Sequence, residues 1–65
     1  MNKYYLFCTV EDEQEIVEFE GSQEEAVREA YRMVDDEEAD SVIVTNRLTG
    51  ADIYYRNRYG EQMLA

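Results

Sequence analysis

The sequence predicts an α+β domain in the order ββαββ: a four-stranded antiparallel sheet with one helix packed on one face. Three observations carry this. Residues 3–10 and 15–20 alternate or run with the period of a strand. From Ser22 onward, apolar residues repeat with the period of a helix behind a capping motif. Two short runs rich in β-branched and aromatic residues follow, at 41–47 and 52–57. With 65 residues, the chain is expected to form one domain, 1–65.

In residues 3–10, Lys-Tyr-Tyr-Leu-Phe-Cys-Thr-Val, Tyr4, Leu6, Cys8 and Val10 share one face and Tyr5, Phe7 and Thr9 the other. Both faces are largely apolar, which places this strand inside the sheet. Residues 11–14 are a polar break. In 15–20, Glu-Ile-Val-Glu-Phe-Glu, Val17 and Phe19 point one way, and Ile16, Glu18 and Glu20 the other, so one face is wet and acidic. The two strands read as a hairpin, although no Asn-Gly or Asp-Gly sets its turn.

Gly21 ends the second strand. Ser22-Gln23-Glu24-Glu25 then fits a capping box, in which Ser22 accepts from the Glu25 N–H and the Glu25 carboxylate reaches back. Ala26, Val27, Ala30, Tyr31, Met33 and Val34 continue at helical spacing, predicting a helix over about 23–36. Glu24 with Arg28 is an i,i+4 pair; Glu25 with Arg28 and Glu29 with Arg32 are i,i+3 pairs. Asp35-Asp36-Glu37-Glu38-Ala39-Asp40 stops the helix. Acids at a helix C-terminus oppose its dipole, and a local rule broken without local gain marks a candidate functional segment. After the third strand, Leu48-Thr49-Gly50-Ala51 reads as a hairpin loop with Gly50 free to take positive φ. The tail from Arg58 to Ala65 either adds a short strand or frays. One helix covers one face, so the other is left to solvent or to a partner, and carries some of the six tyrosines.

Composition narrows the function. One cysteine, Cys8, forbids an intrachain disulfide, and without histidine or a cysteine pair a structural zinc is not expected. A chain this short buries only about 60% of its unfolded surface, so good packing or self-association has to supply its stability. The N-terminal apolar run is too short for a signal peptide and nothing is long enough to span a membrane, so a cytoplasmic location is expected. Catalysis would fall to carboxylates, tyrosine or Cys8. Paired carboxylates need a cleft that separates their pKa values, and Cys8 has no histidine to activate it. No phosphate-binding glycine loop exists among three isolated glycines. An enzyme is not expected, and no cofactor is implied. Asp36, Glu38 and Asp40 stand at positions one, three and five of a calcium loop, but Ser41 and Arg47 occupy the places that need Gly and Glu; weak, unspecific divalent-ion buffering is all that this pattern leaves.

The formal charge is −10. Residues 11–40 hold 14 of the 16 acids against Arg28 and Arg32, a net of −12, while each flank nets +1. Such a segment repels nucleic acid and anionic lipid, and its natural partner is a basic protein surface. Glu18 and Glu20 would stand about 7 Å apart on one strand face. Glu11, Asp12 and Glu13 lie at the adjoining turn; Glu24, Glu25, Asp35, Asp36, Glu37, Glu38 and Asp40 bracket the helix. These twelve are the candidate partner-binding residues, with Tyr5, Tyr54, Tyr55 and Tyr59 as candidate apolar contacts. A rigid array of carboxylates can compete with phosphates for rows of Lys and Arg. The competing account is solvation, since a charge run is usually a wet face that keeps a protein soluble.

In size, charge and element order, and in runs such as Glu11-Asp12-Glu13 and Asp35-Asp36-Glu37-Glu38, the chain resembles the small acidic proteins of phages and mobile elements that mimic nucleic acid, among them anti-CRISPR proteins and uracil-DNA glycosylase inhibitors. The resemblance covers the whole chain and includes no specific motif. It implies an inhibitor that occupies the basic nucleic-acid-binding surface of its target, an anti-CRISPR protein acting on a Cas effector subunit being the favoured form. The alternative is a structural or assembly module that homodimerises through its tyrosine-bearing sheet face or edge, its acids serving solubility alone.

Overall fold

A computed structural model describes residues 2–64. The strands are β1 (Asn2–Val10), β2 (Glu13–Gly21), β3 (Ser41–Asn46), β4 (Asp52–Asn57) and β5 (Gly60–Met63), with α1 (Gln23–Asp35) between β2 and β3. The sheet is antiparallel throughout, in the order β2-β1-β3-β4-β5. It therefore has five strands and not four. Gly60-Glu61-Gln62-Met63 lacks a strand's alternation and β-branched residues and is exposed throughout; pairing with β4 across the Arg58-Tyr59 turn, and not its own propensity, makes it a strand.

β1 lies inside the sheet, paired with β2 along one edge and β3 along the other, and α1 covers one of its two apolar faces. Its register puts Leu6 opposite Val17 on one side and Val44 on the other, and Val44 opposite Tyr54. Tyr4, Leu6, Cys8, Val42, Val44 and Tyr54 are fully buried beneath α1. The helix lays Ala26, Ala30 and Val34 on them, and the two alanines let its backbone come close. The expected capping box is present: Ser22 Oγ accepts from the Glu25 N–H at 3.1 Å, and Glu25 Oε1 accepts from the Ser22 N–H at 3.0 Å. Gly50 takes φ 75° in the β3–β4 loop, as its place in the hairpin requires.

A register shift between Val44 and Thr45 breaks the alternation of β4 and lets adjacent Ile53 and Tyr54 both be buried. This removes Tyr54 from the candidate contact residues. It is a core side chain at 1% exposure, and its hydroxyl donates to Glu61. Burial and that carboxylate hold the phenol above its usual range.

The face without a helix carries an apolar row across four strands: Ile16, Phe7, Ile43 and Tyr55 stand side by side in register. Beside it, the Arg47 guanidinium lies 4.7 Å from the centre of the Tyr5 ring. Among the described residues, no helix is long and apolar enough to cross a membrane.

Candidate functional site

The antiparallel pairing of β1 with β3 decides where the acids meet. Thr9 faces Ser41, so the β1–β2 turn and the segment after α1 emerge at the same end of the sheet. They are joined there: the Asp40 N–H donates to the Thr9 carbonyl at 2.7 Å, and the Glu11 N–H donates to Asp40 Oδ2 at 3.0 Å. Glu11, Asp12, Glu13, Asp35, Asp36, Glu37, Glu38 and Asp40 thus form one acidic end. The β4–β5 turn reaches it too, because Asn57 and Gly60 continue the Thr9–Ser41 row. It brings Arg58 and the fully solvated Tyr59.

The backbone at this end is strained in a consistent way. Among the described residues, the non-glycine residues with positive φ are Glu11 (50°), Asp12 (68°) and Glu37 (61°). The first two form a two-residue hairpin turn whose favoured residues are Asn-Gly. Glu37 follows the C-cap residue Asp36 in a motif where glycine usually stands: the Glu38 N–H donates to the Met33 carbonyl at 2.8 Å and the Glu37 N–H to the Val34 carbonyl at 3.1 Å. All three left-handed positions hold an acid where a smaller residue would cost less.

Two arginines compensate part of the charge. Arg32 forks between Glu29 at 2.9 Å, Asp36 at 3.0 Å and Glu38 at 2.6 Å. Arg58 pairs with Asp40. The acidic run after the helix is therefore not the unrelieved breach of the dipole rule that its sequence suggests. The Arg58 guanidinium and the Glu11 N–H hold the Asp40 carboxyl below the usual range. A recess of about 460 Å³ opens here, with Val10 and Val34 among its walls and Glu11, Asp35, Glu37 and Asp40 at its rim. Arg56 also lines it, but its guanidinium stacks 3.9 Å from the centre of the Tyr31 ring. Eight acids against Arg32, Arg56 and Arg58 leave five negative charges in excess at this end.

The other four candidate acids are elsewhere. Glu18 and Glu20 lie on the helix-free face of β2, the nearer about 17 Å along the strand from Glu13. Each has a cation beside it, Arg47 at 3.9 Å and Lys3 at 3.6 Å. Glu25 is committed to the cap, and Ser22, chiefly through its backbone N–H, holds the Glu25 carboxyl below the usual range. Glu24 stands on the flank of α1, at the mouth of a groove facing β5. Of the tyrosines, Tyr59 accompanies the acidic end, whereas Tyr5 and Tyr55 are half-buried on the helix-free face.

Cys8 is buried beneath α1, and burial, followed by the charges of Glu15 and Glu29, pushes its thiol up. It rests as a thiol and is a poor nucleophile. Among the described residues, no three Cys, Asp or Glu side chains converge as a metal-ion ligand set. The spacing of Arg32 with Glu29 is met in the structure, but the further pairs of Arg32 with Asp36 and of Arg58 with Asp40 are not among those the sequence suggested. Arg32 to Asp36 is a visible i,i+4 spacing, whereas Arg58 to Asp40 depends on strand order. Comparison of the chain with protein-family models, curated proteins and solved structures finds no match.

Proposed function

We propose that this protein is a binding inhibitor that sets its acidic end against the basic nucleic-acid-binding surface of a target protein. In the form we favour, it is an anti-CRISPR protein and the target is a Cas effector subunit. The observation that carries this reading is the placement of Glu11, Asp12 and Glu37, which hold charge at left-handed backbone positions where Gly or Asn would be more stable. A merely solvated surface has no need of charge at those positions. Around them, two acidic runs far apart in sequence are tied together by the Glu11–Asp40 hydrogen bond, so the carboxylates are presented by fixed backbone. They would act as phosphate surrogates, and Tyr59 would add apolar contact at their margin.

The test is a DNA-binding assay on purified Cas effector complexes with the protein as competitor. The wild-type chain should displace DNA, less well as salt rises. Joint substitution of Glu11→Gln, Asp12→Asn, Glu37→Gln and Glu38→Gln should weaken inhibition more than tenfold. Inhibition unchanged by salt, or by those four substitutions, would sink the mimicry reading.

A second reading rests on the Ile16–Phe7–Ile43–Tyr55 row, an apolar strip on the open face with Phe7 and Ile16 exposed. It would serve a homodimer packed face to face, with the acids keeping that dimer soluble. Sedimentation as a monomer at micromolar concentration would remove it.

A further inference from the structure

The two edges of the sheet differ in what they offer a newcomer. At β2 the edge is guarded by Glu13, Glu15, Glu18 and Glu20, a charged fringe that discourages strand addition. At β5 it is not. The Leu64 N–H donates to the Ile53 carbonyl at 3.0 Å, so Leu64 and Ile53 form a hydrogen-bonded pair of the β4–β5 ladder. Such pairs alternate in an antiparallel ladder, so Gln62 and Gly60 also bond inward to β4. The N–H and C=O groups of Glu61 and Met63 therefore point away from the sheet, and among the described residues nothing pairs with them.

Beside this edge runs a groove. α1 packs over β1 to β4 and does not reach β5. The helix flank and Met63 enclose about 430 Å³, lined by Gln23, Glu24, Val27, Arg28, Tyr31 and Met63. Tyr31 and Met63 leave about half of their surface in water, 43% and 56%. Met63 lies opposite Tyr54 in the register and so shares the helix side of the sheet. A strand added outside β5 would form its hydrogen-bonded pairs with Glu61 and Met63. The residue opposite Met63 would then point its side chain to the same side, into the groove against Val27 and Tyr31.

We propose that this edge binds an extended peptide segment of a partner protein as a sixth strand, with an apolar side chain in the groove and lysine or arginine beside it. Main-chain pairing supplies affinity and the groove selects the anchor. The charge of the segment follows from a chain of net −10, from Glu24 in the groove wall, where Arg28 offsets it in part, and from Glu61 on β5 itself, held in place by the Tyr54 hydroxyl. The same charge disfavours a second copy, which would bring another −10. A two-fold pairing centred on Gln62 would also set each Glu61 opposite the other copy's Met63, putting a carboxylate at the apolar groove. The β5 edge and its groove share no residue with the acidic end.

The probe is a hexapeptide, blocked at both ends, in which lysine alternates with leucine, titrated into ¹⁵N-labelled protein. Amide shifts should move at Glu61, Met63, Val27 and Tyr31, and hydrogen exchange at the Glu61 and Met63 amides should slow. N-methylation of alternate peptide bonds on the pairing side, or glutamate in place of lysine, should each weaken binding more than tenfold. Met63→Pro removes an outward donor without touching the ladder to β4 and should do the same. Val27→Lys, which crowds the groove from the helix, repeats the test without altering β5. Four results would overturn the proposal: shifts confined to Glu11–Glu13 and Asp35–Asp40; equal binding of the N-methylated peptide; no shift at Glu61 and Met63 up to about millimolar peptide; or a peptide-free dimer in which those two amides are already protected.

Discussion

At the end of the sheet where β1 turns into β2, carboxylates outnumber their cations and three of them sit on left-handed backbone. At the opposite end, Glu18 and Glu20 each have a cation beside them, and Glu25 closes the helix cap. The residue type is the same, but its circumstances are opposed. At the far end the acids do local structural work or are offset one for one. At the near end they gather in excess, on backbone that would favour other residues. The contrast teaches that the net charge of −10 is a poor guide to where charge is available to a partner.

The strongest test of the contrast removes the strain. A left-handed L-residue costs roughly 1–2 kcal/mol, partly offset by the greater unfolded-state freedom of glycine. Glu11→Asn, Asp12→Gly and Glu37→Gly together should therefore stabilise the fold by about 1–2 kcal/mol. For a domain this small, the midpoint of thermal unfolding should rise by roughly 5–10 °C. The same variant should inhibit DNA binding by the target less well. If its midpoint fell instead, these acids would be structural, and the two ends would not differ in kind.

At the other end the expected sign is reversed. Ser22→Ala removes the acceptor for the Glu25 N–H and should destabilise by about 1 kcal/mol, with no change in inhibition. Urea denaturation and the DNA competition assay, run on the same preparation, give both readings.

These assignments rest unequally on what the sequence shows. The interior position of β1 follows from its two apolar faces, and the cap from Ser22 and Glu25 at the required spacing. Gly50 marks its turn for the same reason, being the residue that tolerates positive φ. β5 is legible only as a tail that either adds a short strand or frays, because nothing in Gly60–Met63 alternates. The burial of Tyr54 depends on a bulge that no local pattern announces, so Tyr54 and Tyr55 look equivalent until the register is known. The acids were legible as composition. That Glu11 meets Asp40 across 29 residues depends on β3 choosing β1 as its neighbour, which is a property of the assembled sheet.

Acid titration compares the ends more finely. Ser22 holds the Glu25 carboxyl below its usual range at the far end, and Arg58 does so for Asp40 at the near end; Arg32 does the same for Glu29 on the helix. A carboxyl more acidic in the folded than in the unfolded chain stabilises the fold above its unfolded pKa, about 4, and that contribution is lost as pH falls through the lower folded value. Stability measured by urea between pH 7 and pH 3 should therefore drop in the acid limb. Arg58→Ala should flatten the part due to Asp40, whereas Ser22→Ala, which keeps the residue-22 backbone N–H that donates to Glu25, should flatten the part due to Glu25 only slightly. An acid limb unchanged by Arg58→Ala would mean that the contact between Arg58 and Asp40 does not persist in solution.

The smallest expected effect concerns Lys3 and Glu20. Their side chains are 59% and 62% exposed and 3.6 Å apart, a geometry that yields at most a few tenths of a kcal/mol, because water already solvates both charges. A double-mutant cycle on Lys3→Gln and Glu20→Gln should return a coupling in that range, fading further as salt is added. Its smallness matters to the contrast between the ends. Lys3 offsets the charge of Glu20 without binding it firmly, so a sufficiently basic partner could still draw Glu20 into contact. A coupling above about 1 kcal/mol would instead lock Glu20 to Lys3 and confine the available charge to the end where Glu11 meets Asp40.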